Sequence, residues 1–263
     1  MKRKILGIVN LTDDSYYAPS RALSRESFME RVGKMVAEGM DVVDIGACST
    51  RPGSMPVGAD EEWRRLEPAL NALREAFPEL PVSIDTYWAS VVARVYDGFG
   101  PFIVNDISAG AYDPAMLPLV GRLGIPYIAM HLRGTPETMQ SFTDYPDGVT
   151  TEVLRYFEAF ARRAADAGIQ DWILDPGFGF AKTVSQNWTL LEEMGRLHAL
   201  GREILVGVSR KSMIYKRFGI TPEEALPATQ VAHYMALEHG ATWLRVHDVA
   251  EAKRTISIFE GEF

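Results

Sequence analysis

Apolar positions along the chain follow two alternating rhythms. Short continuous runs rich in Val, Ile and Leu occur at Ile5–Val9, 42–46, 82–85, 102–106, 126–131, 172–175, 204–208 and 243–247. Between them the spacing changes to every third or fourth residue. Phe28, Val32, Met35 and Val36 share one helical face, as do Trp63, Leu66, Leu70 and Leu73. Val149, Val153, Phe157, Phe160 and Ala164 do the same, and Leu190, Leu191 and Met194 mark another helix. Further helices are predicted from about Trp88 to Tyr96, from Met116 to Leu123, and from the last strand to about Phe259. Gly39 is expected to end the first helix. The strongest start signal is Thr221-Pro-Glu-Glu224, an N-cap hydroxyl, a proline and a Glu spaced for a capping box, which predicts the helix after the seventh strand.

Strand and helix thus alternate eight times. Continuous apolar runs suit parallel strands buried on both faces. The expected fold is an α/β, (β/α)8 TIM barrel, one domain over residues 1–263, with a doubly wound open sheet as the alternative. The polar residues favour the barrel. They gather where each strand ends, at Asn10, Asp44, Asp85, Asn105, His131, Asp175, Ser209 with Lys211, and Arg245 with His247. Functional groups of such barrels sit at those ends.

Composition narrows the chemistry. A net charge of −8 argues against a nucleic-acid binder, whose affinity rests on phosphate neutralisation, but not against a small anion met by a local cation cluster. The single cysteine, Cys48, allows no internal disulfide, and no segment approaches a membrane span, so a cytoplasmic enzyme without a membrane partner is expected.

Asp85, Asn105 and Asp175, if they converge, suit a flat heterocycle rich in N–H donors; separately, each could cap a helix or bond a loop amide. The stretch Asp175-Pro-Gly-Phe-Gly-Phe-Ala-Lys182 lacks dinucleotide spacing, and Phe178 and Phe180 could wall such a ring. Arg51, Lys211, Arg245 and His247, with the hydroxyls of Ser49 and Thr50, form a candidate phosphate or pyrophosphate site. Arg245 could instead pair inside the barrel with Asp44 or Asp248. His131 reads as structural, and no Cys/His cluster has zinc spacing.

In chain order, Ile5-Leu-Gly-Ile-Val-Asn10, Asp44-Ile-Gly46, Ser49-Thr-Arg-Pro-Gly53, Ser83-Ile-Asp-Thr86, Val104-Asn-Asp-Ile107, Met130-His131, Arg133-Gly-Thr-Pro136, Asp175-Pro-Gly-Phe-Gly-Phe180, Ser209-Arg-Lys-Ser212 and Arg245-Val-His-Asp-Val249 resemble the dihydropteroate synthase family nearly end to end. The resemblance implies condensation of 6-hydroxymethyl-7,8-dihydropterin pyrophosphate with p-aminobenzoate in folate synthesis, with Mg²⁺ as cofactor and a homodimer as the usual assembly. It implies that Asp85, Asn105, Asp175 and Lys211 hold the pterin and that Met130, Phe180 and Gly207 line its pocket. Asn10, Arg245 and His247 would meet pyrophosphate and Mg²⁺, with Thr50 and Arg51 also at the pyrophosphate. Thr50, Arg51, Pro52, Ser212 and Tyr16 would serve p-aminobenzoate. Asp85, Asp175, Lys211 and Arg245 would carry the catalysis, and the loops after the first two strands would form a lid.

The first loop departs from the family pattern Asn-x-Thr-Pro-Asp-Ser-Phe-Ser. Asp13 replaces the proline, Tyr16 the phenylalanine, and the following glycine pair is absent; Cys48 stands where Glu is common. The altered first loop leaves room for a degenerate homologue without activity, and two other rivals remain. A methyltetrahydrofolate-carrying barrel would share the pterin residues but not need the cation motifs, and a Schiff-base aldolase would use Lys211. Arg210, the most conspicuous charge after the seventh strand, has no implied ligand and could simply hold its loop.

Overall fold

The computed structural model describes residues 2–11, 21–47 and 57–262, with 21–24 described by backbone alone. Strands β1 (Lys4–Asn10), β2 (Val42–Gly46), β3 (Val82–Asp85), β4 (Ile103–Asp106), β5 (Tyr127–Met130), β6 (Trp172–Asp175), β7 (Leu205–Val206) and β8 (Trp243–Val246) pair in parallel. Their order is β6-β5-β4-β3-β2-β1-β8-β7. The two edges meet at a single bridge, Leu174 to Ile204, where the Leu174 N–H donates to the Glu203 carbonyl at 3.1 Å. The sheet therefore closes into the expected barrel.

Around it run α1 (Arg21–Ala37), α2 (Ala59–Ala76), α3 (Ala89–Phe99), α4 (Met116–Leu123), α5 (Val149–Asp166), α6 (Val184–Glu192), α7 (Ser212–Phe218), α8 (Leu226–Glu238) and α9 (Val249–Glu260). The faces read from the spacing are the buried ones: Phe28, Val32 and Met35 on α1, and Val149, Val153, Phe157, Phe160 and Ala164 on α5. They pack on the outward residues of the strands, such as Ile5, Val43 and Val104, in one continuous core.

A second, smaller cluster fills the barrel interior: Leu6, Val42, Ile128, Ile173, Leu205 and Trp243, with Ile103 against it. Side chains two residues apart on a strand share a face. The interior therefore continues, one layer up, as Asp44, Asn105, Met130, Asp175, Gly207 and Arg245. Register completes that layer, since Asn10 pairs with Gly46, Gly46 with Asp85, and Asp85 with Asn105. A barrel apolar at one end and charged at the other follows from two-residue periodicity applied to eight short strands.

The chain differs from its sequence reading around β7. That strand is only Leu205–Val206, because Ile204 makes the closing bridge and Gly207 begins the turn into the mouth. A short helix, α7, follows and stops at Gly219, whose φ of +64° ends it. The Thr221–Glu224 capping bonds form at 2.8 and 3.3 Å, yet they close a turn, and α8 begins at Leu226 with a proline in its first turn.

Two glycines test the packing. A Cβ at Gly121 on α4 would lie 1.7 Å from the Ala167 carbonyl oxygen, whereas one at Gly98 on α3 meets nothing within 4 Å. Gly121→Ala is expected to lower stability by about 1–3 kcal/mol through overpacking, and Gly98→Ala to raise it by up to about 1 kcal/mol. Thermal melts of the two variants moving in the same direction would contradict this packing.

Candidate active site

Asp44 on β2 is wholly buried and is the hub of the polar layer. It accepts from the Ser83 hydroxyl at 2.7 Å, from the Asn105 amide at 3.2 and 3.3 Å, and from Arg245 Nε at 2.6 Å. The guanidinium also reaches Asp85 Oδ2 at 3.3 Å through Nη2. Burial opposes the charge on Arg245, but Asp44 and Asp85 more than offset it, so its pKa is raised and the cation is secure. Arg245 thus adopts the interior pairing with Asp44 that its position on β8 allowed. Asp248 pairs instead with Arg210, at 2.8 and 2.9 Å.

Asp85 and Asp175 are buried carboxylates held by opposite charge. Burial raises the pKa of Asp85, Arg245 opposes the shift, and Asp44, Asp106 and Asp175 add to it. Burial likewise raises Asp175, which Lys211 and a 2.8 Å bond from the Gly177 N–H counter. The Asn105 amide nitrogen is drawn to Asp44, which orients the side chain and leaves its carbonyl oxygen as an acceptor for a ligand. Lys211 donates to the Phe178 carbonyl at 2.5 Å and lies 4.7 Å from the Phe180 ring centroid. Burial pulls its pKa down to about 8, with Asp175 resisting. A Cβ at Gly207 would stand 3.7 Å from Arg245 Cβ and 3.9 Å from Lys211 Nζ, so the bare backbone there leaves space between the two cations.

One wall of the mouth is apolar. Met130, Tyr87 and Ile107 cluster with Trp88, Tyr112, Leu132 and Phe180 partly buried against them. Phe180 is the aromatic ring of the glycine-rich loop that joins this wall, because Phe178 turns fully into the core. On the other side His247 and Ser209 tie the ends of β8 and β7 together, Nδ1 to Oγ at 3.0 Å. Burial lowers the His247 pKa to about 4, and Arg245 and Arg31 add to the shift, so the ring is neutral near pH 7. Asn10 is exposed at the end of β1, with its Oδ1 3.1 Å from where a Gly46 Cβ would stand. Ser212 opens α7, partly exposed beside Lys211. Arg210 holds its loop, with φ +51° and bonds to Asp248 and to the Pro222 and Glu223 carbonyls.

Tyr16, Thr50, Arg51 and Pro52 lie outside the described residues, as do Asp13, Cys48 and Ser49. Asp44, read from the sequence as a strand-end residue and a candidate partner of Arg245, is the hub of the layer. Two further polar groups were not placed in the site by the sequence. Lys182, buried and bonded to His131 Nδ1 at 2.9 Å, gave no signal beyond a cation in a glycine-rich loop. Glu62 is also buried, and neither carboxyl oxygen makes a hydrogen bond of normal geometry. The nearby Thr86 hydroxyl favours its ionised form only weakly against burial, which raises the pKa to about 8.

The mouth combines acceptors for a flat N–H-rich ring, an aliphatic and aromatic wall, and a cationic corner at Arg245 and Lys211. Residues 6–247 match the family model described as pterin binding enzyme. A dihydropteroate synthase from Synechocystis is 40% identical over 93% of this chain and 85% of its own length. The folic acid synthesis protein fol1 of Schizosaccharomyces pombe is 36% identical over 96% of this chain, which spans 35% of that longer protein. The dihydropteroate synthase of Clostridium difficile, solved in the presence of pteroic acid, superposes with a TM-score of 0.91 at 30% identity, covering 100% of this chain and 97% of that one.

Glu62 yields a signed pH dependence. Its folded-state pKa, about 8, lies above the ordinary 4.5, so the folded protein keeps a proton that the unfolded chain releases between those values. That stabilisation is complete below the lower value and lost as pH rises through the upper one. Glu62→Gln, which mimics the protonated acid, is expected to melt higher than the parent in alkaline buffer and level with it near pH 4. An equal difference at both pH values would show that folding does not raise the pKa of this carboxyl.

Proposed function

The chain belongs to the pterin-binding enzymes, among the dihydropteroate synthases of folate biosynthesis, and we propose that its barrel mouth joins 6-hydroxymethyl-7,8-dihydropterin pyrophosphate to p-aminobenzoate. The products are 7,8-dihydropteroate and pyrophosphate. The observation that carries this reading is the single layer holding Asp85, Asn105, Asp175 and Lys211 beside the Arg245 guanidinium, all on one barrel end.

Asp85 and Asp175 accept from the pterin ring N–H groups, and the Asn105 carbonyl and the Lys211 ammonium complete its edge. Met130 and Phe180 cover its faces, and Gly207 leaves it room. The methylene C–O bond breaks with its electron pair leaving on pyrophosphate. Positive charge then develops on the pterin methylene, next to two buried carboxylates that stabilise it. The arylamine nitrogen forms the new C–N bond and gives up a proton. Arg245 and the neutral His247 ring meet the departing pyrophosphate, with Thr50 and Arg51 reaching the same anion. Thr50, Arg51, Pro52, Ser212 and Tyr16 serve p-aminobenzoate.

Among the described residues no cluster of three His, Cys, Asp or Glu side chains is placed to cage a metal. Asn10, exposed at the end of β1, offers a neutral amide oxygen that suits a hard ion such as Mg²⁺, most of whose ligands are water and substrate phosphate. Asn10 would hold the ion, and its charge would neutralise the leaving pyrophosphate.

The reading extends to assembly and place. Residues 1–263 form one barrel domain. Val231 and Ile258 are 61% and 60% exposed on α8 and α9, and Tyr234 packs on Phe259 between those helices. This apolar face suits a homodimer. A cytoplasmic location accords with a lone cysteine, and among the described residues no helix is long and apolar enough to cross a membrane.

Pyrophosphate release, followed with Mg²⁺ present, is expected only when both p-aminobenzoate and the pterin pyrophosphate are supplied. Release that is independent of p-aminobenzoate, or no release with both, would overturn the assignment. Binding of methyltetrahydrofolate in place of turnover would point to the carrier barrel.

A further inference from the structure

The loop that follows β6 is held by its own Lys182 and by side chains from outside it. Gly177 and Phe180 offer their carbonyls to Lys182 Nζ at 3.0 and 3.1 Å. The Phe178 carbonyl accepts from Lys211 at 2.5 Å, and the Ala181 carbonyl from the Tyr145 hydroxyl at 2.9 Å. The Gly179 N–H donates to Asn187 Oδ1 at 2.7 Å. The backbone needs this restraint, since Gly177, Gly179 and Ala181 have φ values of +69°, +83° and +49°. A Cβ at Gly177 would lie 2.1 Å from the His131 carbonyl oxygen, so the loop is pressed against the end of β5.

Lys182 is the tie between the two. Its third partner is His131 Nδ1 at 2.9 Å. An ammonium has three donors, and here three acceptors use all of them. With Lys182 protonated, His131 Nδ1 is the acceptor of this bond, and burial keeps that ring neutral, with Lys182 and Arg133 adding to the effect. The His131 ring is itself braced edge-on by Tyr156 at 4.8 Å. Neither Lys182 nor His131 has a role in the reaction derived above, yet Lys182 is only 4% exposed, a costly place for a cation without a purpose. Asp175, Lys211 and Arg133 are the other charges that act on it; burial brings its pKa down to about 7 against the pull of Asp175.

We propose that Lys182, seated on His131, is a positioning residue for the pterin. It fixes the Gly177–Phe180 turn to β5, and so sets the Phe180 wall and the Phe178 carbonyl that anchors Lys211. The assignment rests on the pterin-site reading, and it predicts a selective effect. Loss of the tie should loosen the pterin pocket and leave the p-aminobenzoate side largely untouched.

Lys182→Met keeps the length and apolar bulk of the side chain and removes the donors. The variant is expected to bind 6-hydroxymethylpterin about tenfold or more weakly by calorimetry, and to raise KM for the pterin substrate likewise, with KM for p-aminobenzoate within about twofold. In ¹⁵N NMR, the His131 ring should lose the signature of an accepting Nδ1. If Lys182→Met does not fold, His131→Leu removes one acceptor and is read in the same way. A folded variant with unchanged pterin affinity, or with both KM values raised equally, would overturn the proposal. Parent protein that releases no pyrophosphate would sink the synthase reading instead, while the calorimetric comparison would still decide this one.

Discussion

The 2.6 Å pair between Arg245 and Asp44 allows the upper barrel to be polar at all. Asp44, Asp85 and Asp175 are all buried in one layer, and burying like charges together is costly unless cations compensate. Arg245 and Lys211 supply that compensation from adjacent strand ends. Arg245 serves two carboxylates at once, one structural and one at the ligand face. The same geometry that makes the fold tolerable holds a guanidinium at the barrel mouth, where the proposed reaction releases its anion. A site arranged this way does little reorganising during the reaction, which is the condition for effective electrostatic stabilisation of developing charge.

The consequence runs outward from the hub. Below it, Leu6, Val42, Ile128, Ile173, Leu205 and Trp243 close the barrel floor and keep water from the ion pairs. Above it, the strand ends turn into loops that are tied by side chains as much as by backbone. The Ser209–His247 bond joins β7 to β8, Arg210–Asp248 fixes the turn into α7, and Lys182–His131 joins the glycine-rich loop to β5. Rigid strand ends and side-chain clamps thus share the work of positioning. In the proposed reaction the pterin edge rests on the former, and the Phe180 wall on the latter.

Much of this was legible in the residues themselves. Strands buried on both faces must be apolar throughout, so a polar residue at the end of each run stands out, and Asp85, Asn105, Asp175 and Arg245 all fell where the barrel puts them. The partner of Arg245 was not settled, because Asp44 and Asp248 both lie at strand ends on the same side of the barrel and only strand register chooses between them. Lys182 escaped notice for a related reason, since a lysine looks solvent-exposed until the fold closes three acceptors around it. Helix α7 was missed because seven residues show too little periodicity, and the capping sequence at Thr221 advertised a start that the chain uses for a turn. Tyr16, Thr50, Arg51 and Pro52 were placed by resemblance to a family, not by any physical rule that spacing supplies.

The dependence of the polar layer on Arg245 and Asp44 is measured most directly by a double-mutant cycle on folding stability, with Asp44→Asn, Arg245→Met and the pair combined. Removing either partner takes from a buried charge its nearest counter-charge and is predicted to cost roughly 3–5 kcal/mol, while the combined variant should lose well below the sum, with a coupling of about 1 kcal/mol or more. Costs that add to within about 0.5 kcal/mol would mean that the two groups act independently and that the upper barrel is held together by something else.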